Sequence, residues 1–68
     1  MITELRVGMV FECSWMLSCY LSTRATPAYE QVYVEAFGED WLVVRLNDTA
    51  FAATFNSHEH MLNSINSE

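Results

Sequence analysis

Sixty-eight residues bound this chain to one domain, 1–68, and a chain so short buries only about 60% of the surface its unfolded form exposes. Apolar and aromatic residues make up 51% of it, while nine carboxylates face three arginines, Arg6, Arg24 and Arg45, with no lysine and a net charge of −6. That balance argues against direct nucleic-acid binding, which needs cations against phosphate, and against an anionic membrane surface; it favours a protein partner with a basic surface.

The opening "MITELRVGMVFECSWML" has no basic leading region and no small-residue cleavage site, so it does not read as a signal peptide. The apolar run from Met9 to Leu21 is broken by Glu12 and is too short to span a bilayer. The expectation is a soluble, cytoplasmic protein in which Cys13 and Cys19 are reduced and packed as small hydrophobes.

In "LRVGMVFEC", Leu5, Val7, Met9, Phe11 and Cys13 alternate onto one face, and Gly8 marks a bulge or bend. "SWMLSCYLS" holds Trp15, Leu17, Cys19 and Leu21 in the same alternation and reads as a second strand, although β-branched residues are scarce in it. The pattern leaves open whether Trp15 and Tyr20 face a core or an interface. "STRATPAYE", 22–30, is irregular.

The clearest signal follows. In "QVYVEAF", Val32, Val34 and Ala36 share one face and Tyr33, Glu35 and Phe37 the other; in "WLVVRL", Leu42, Val44 and Leu46 alternate with Trp41, Val43 and Arg45. "GED" between them suits a hairpin. "ND" marks a second turn, and "AFAATF" places Phe51, Ala53 and Phe55 on one side. The pattern predicts a meander, five strands in all.

The period then changes. Asn56 and Ser57 are good N-cap residues, Glu59 suits the first turn, and Met61, Leu62 and Ile65 fall at helical spacing. "SHEHML" is therefore a helix start. Residues two apart on a helix point about 200° apart, so His58 and His60 do not share a metal, and the H-E-x-x-H pattern fails at Leu62.

Other chemistry is thin. No G-x-S-x-G elbow is present, and two glycines in the chain allow neither a P-loop nor a dinucleotide loop. The carboxylate pair Glu39–Asp40 sits in a predicted turn and reads as a solvated hairpin tip. The expectation is no enzyme, no catalytic residue, no metal and no cofactor.

The second face of the hairpin carries the functional reading. With Val32, Val34, Leu42, Val44 and Leu46 inward, Tyr33, Phe37, Trp41 and Val43 stand outward, Glu35, Glu39 and Asp40 surround them, and Arg45 closes one end. Aromatics inside a charged rim are the anatomy of a protein interface. The opposing expectation is that the C-terminal helix covers this face. Apolar excess in so small a chain also suggests a homodimer.

By its size, acidity, aromatic content and lack of catalytic motifs, the chain resembles small accessory proteins of bacteriophages and mobile elements, such as anti-CRISPR proteins. The resemblance implies inhibition by binding, through an acidic surface set against a complex that handles nucleic acid. "LRVGMVFEC" is similar to the first strand of SH3-like barrels. The fold expected is α+β and mainly β: a five-stranded curved antiparallel sheet or small SH3-like barrel with one C-terminal helix. The alternative function is a non-enzymatic adaptor or subunit of a larger assembly.

Overall fold

The structure, a computed structural model, describes residues 1–21 and 27–67. Its elements run β1 (Val10–Glu12), α1 (Trp15–Tyr20), β2 (Gln31–Phe37), β3 (Trp41–Leu46), β4 (Thr49–Thr54) and α2 (His58–Ile65). The strands form one antiparallel sheet in the order β1-β2-β3-β4. The fold is α+β and mainly β. The meander 31–54 has the strands and turns expected, but the sheet has four strands among the described residues and stays open. β1 and β4 are its edges, and no pairing between them closes a barrel.

The expected second strand is the helix α1. Ser14 caps it: its Oγ accepts the Leu17 N–H at 2.9 Å. Leu17 and Leu21 are buried while Trp15, Met16, Cys19 and Tyr20 are exposed, a helical stripe rather than an alternation. The same Ser14 hydroxyl donates to the Ser64 carbonyl at 2.6 Å, locking α1 to α2. Part of the irregular segment, 22–26, lies outside the described residues. Beyond it, Pro27 is buried and a turn closes from the Glu30 N–H to the Pro27 carbonyl at 2.9 Å.

α2 forms as expected. Ser57 Oγ accepts the His60 N–H at 3.0 Å, Glu59 lies in the first turn, and Met61 and Ile65 are buried one turn apart. At its end the Asn66 side-chain amide grips the N-terminal segment: Oδ1 accepts the Ile2 N–H and Nδ2 donates to the Ile2 carbonyl, both at 2.8 Å.

Two bulges set which residues face the core. Gly8, at φ +96°, is the third residue of a turn closed by the Met9 N–H on the Arg6 carbonyl at 3.2 Å, a position where glycine is favoured. Gly8 donates to the Val34 carbonyl and Val34 donates to the Met9 carbonyl, each at 2.9 Å, so two residues oppose one in a glycine bulge. Gly8 thus does what the sequence suggests, and it throws Val7 outward, off the face shared by Phe11 and Cys13. The second bulge lies at Glu35: Val34 pairs with Val44, but Ala36 pairs with Val43 and Phe37 with Leu42. The core gathers Val32, Val34, Leu42, Val44, Phe51, Ala53 and Phe55 from the sheet with Leu17, Leu21, Met61 and Ile65 from the helical side.

Candidate protein-binding surface

The outer face of the sheet is built from the residues that alternate with this core. Across its first row run Val10, Tyr33, Arg45 and Ala50, each opposite the next. Ala36, Val43 and Ala52 form a second row, and Trp41 faces Thr54 at the far end. Both helices contribute their buried residues to the opposite face, so α2 does not cover this one. Tyr33 is 41% exposed and Trp41 40%.

Glu35, the extra residue of the bulge, turns to Arg45, whose Nε donates to Oε1 at 2.5 Å. The hydrogen bond and then the charge of Glu35 push the Arg45 pKa further up. The pair is part-exposed and neutralises itself, so the first row is apolar at Val10 and Tyr33 and polar but balanced at its β3 end. A β-carbon on Gly8 would lie 3.8 Å from the Tyr33 hydroxyl; the ring therefore reaches over the glycine bulge, beside the exposed Val7 and Val10.

Three expected placements are corrected. Phe37 is not on the outer face: the bulge at Glu35 reverses the alternation and packs it against the core opposite Leu42. The same reversal turns Ala36 outward. Trp41 is not beside Tyr33, because Tyr33 faces Arg45, four residues along β3 from Trp41, or about 13 Å at strand rise. Glu39 and Asp40 do form an exposed tip, and their backbones anchor it. His58 Nδ1 donates to the Glu39 carbonyl at 2.8 Å, and the Phe55 N–H to the Asp40 carbonyl at 2.8 Å.

The sequence reading missed Val7, which the Gly8 bulge turns outward, and Val10, which alternates outward opposite Tyr33. Trp15 and Tyr20, which the sequence left open between core and interface, are exposed on α1, and so is Met16, which it did not single out. Tyr20 packs on Phe55 with ring centroids 5.1 Å apart, and its hydroxyl meets His60 Nε2 at 2.9 Å.

The two histidines point apart. His58 reaches the hairpin tip; His60 Nδ1 accepts the Asn56 N–H at 3.2 Å, which leaves Nε2–H to face Tyr20. Among the described residues no group of three or more His, Cys, Asp or Glu is placed to hold a metal ion. Both cysteines are free: Cys13 is buried, with burial pushing its thiol pKa up to about 11. Cys19 is exposed on α1, not packed inside as expected. Among the described residues no helix is long and apolar enough to cross a membrane. No protein-family model matches the chain, and no curated protein or solved structure is significantly similar to it.

Proposed function

We propose that this protein is a non-enzymatic, cytoplasmic binder that inhibits or regulates a host complex handling nucleic acid, such as a CRISPR effector. The uncovered outer sheet face carries this reading, with Tyr33 and Trp41 exposed at its two ends. Tyr33, with Val7 and Val10 around it, is the anchor at one end. Trp41 and the carboxylates of Glu39 and Asp40 meet a basic surface at the other. An aromatic anchor supplies affinity, while acidic residues steer the encounter with a site meant for phosphate.

Titration against a candidate effector at rising ionic strength tests this. Affinity should fall steeply with salt, and Glu39→Lys with Asp40→Lys should slow association and flatten that dependence. The backbone anchors of the tip do not involve these side chains, so the doubly reversed protein should stay folded. Salt-independent binding would instead favour the second reading, an adaptor or subunit docked by apolar contacts, which the exposed Trp15 and Met16 of α1 support.

A further inference from the structure

The sheet treats its two edges differently. β1 is three residues long, ends in Glu12, and is preceded by the Gly8 bulge; short, charged and bulged strands are how proteins blunt an edge against further pairing. β4 has none of these devices. Its six residues, Thr49–Thr54, pair with β3 without a register shift and hold no charge, proline or glycine.

The bond from the Phe55 N–H to the Asp40 carbonyl fixes the phase of that ladder. Antiparallel strands alternate bonded and non-bonded pairs, so Thr49, Phe51 and Ala53 bond to β3, and Ala50, Ala52 and Thr54 aim their N–H and C=O groups away from it. All three residues are exposed, and no described residue bonds to these outward groups.

We infer that the β4 edge is the seat of a second copy of this chain, joined strand to strand about a two-fold axis at Ala52. In this register Ala52 faces Ala52 of the other copy, and Ala50 faces Thr54 in both directions. All three outward positions are then used, in about six backbone hydrogen bonds. On the core-side face Phe51 lies opposite Ala53, large against small. Self-complementarity in this register selects a second copy: Asp48 lies opposite Asn56 and Asn47 opposite Ser57, so no carboxylate faces another across the axis. Paired six-residue strands alone fall short of the roughly 1,200 Å² that a specific interface buries. Tyr20 of α1, exposed and packed on Phe55 just past the end of β4, extends the contact. The dimer is a continuous eight-stranded sheet whose outer face, with Tyr33 and Trp41, is present twice.

Sedimentation velocity from micromolar to millimolar concentration should show a species of twice the chain mass. Ala52→Pro removes only an outward N–H, which an edge strand tolerates, so this variant should be folded by circular dichroism and monomeric. If it does not fold, Ala50→Lys with Thr54→Lys decides, since each new lysine then opposes another across the axis. In the wild-type protein, amide exchange at Ala50, Ala52 and Thr54 should slow as concentration rises while Phe51 and Ala53 stay protected throughout. A wild-type chain that remains monomeric, a dimer that persists in a folded edge variant, or exchange at these three amides that ignores concentration would each overturn the inference.

Discussion

The indole of Trp41 fills the space that a β-carbon on Gly38 would need: a Cβ built there would overlap Nε1, Cε2 and Cδ1 of the ring. Gly38 is thus required for room. The hairpin is closed beneath it by the Gly38 N–H on the Trp41 carbonyl at 3.0 Å. A glycine covered by a cross-strand aromatic holds both in place, as in designed sheets where an aromatic compensates an edge glycine.

Gly38→Ala should therefore expel the indole from the hairpin without straining the backbone. In a Trp15→Phe background, where Trp41 is the sole tryptophan, emission should shift to the red. The midpoint of thermal unfolding should drop by the equivalent of about 1 kcal/mol. Unchanged emission would mean that the ring does not rest on the glycine in solution.

The strands of the hairpin were legible in the sequence because β-branched and aromatic residues alternate there without ambiguity. α1 was not, for a reason of arithmetic. Cys13, Leu17 and Leu21 are spaced by four, which satisfies both a period of two and a period near 3.6. The exposed Trp15 and Cys19 extended the false alternation, and only the cap at Ser14 and the scarcity of β-branched residues favoured the helix. The two bulges differ in the same way. Gly8 announced one, because its positive φ needs glycine. Glu35 announced nothing, since a bulge of that kind needs no special residue and is fixed by how β2 meets β3. That unmarked residue moved Phe37 from the candidate site into the core.

The binding surface predicts a split between two aromatic truncations. Tyr33→Ala removes a half-exposed ring from the outer face and should change folding stability by less than about 1 kcal/mol, while costing at least ~2 kcal/mol of partner binding. Phe37→Ala should do the reverse, lowering stability by about 2–4 kcal/mol and leaving the affinity of the folded fraction unaltered. Thermal melts and calorimetric titration of the two variants distinguish the faces. A strongly destabilised Tyr33→Ala would place that ring in the core.

Ser14 should be the most sensitive of the small polar residues. It is buried and bonds in two directions, to the Leu17 N–H and to the Ser64 carbonyl. Ser14→Ala removes a cap and leaves a buried carbonyl without its partner, a loss of about 2–3 kcal/mol. Ser57→Ala removes only the cap of α2 at an exposed position and should cost about 1 kcal/mol. Equal effects in urea denaturation would show that the Ser14–Ser64 bond contributes nothing beyond capping.

The two cysteines should behave as different chemical species. Cys19 is exposed on α1, whereas Cys13 is enclosed and its thiol is pushed up to about 11 by loss of hydration. Since the thiolate is the reactive form, a disulfide reagent at pH near 8 should modify one thiol per folded chain, at Cys19, and both after unfolding. The same shift makes stability depend on pH. The unfolded thiol ionises near 9.0 and the folded one near 11, so between these values the unfolded chain gives up its proton first. The stabilisation from a neutral, buried Cys13 is complete below the lower value and is lost as pH rises through the upper one. Relative to Cys13→Ala, the wild-type protein should therefore lose stability across that window and run parallel to the variant below it. Parallel curves throughout, or rapid modification of both thiols in the folded chain, would show that Cys13 is not sealed between the sheet and the helices.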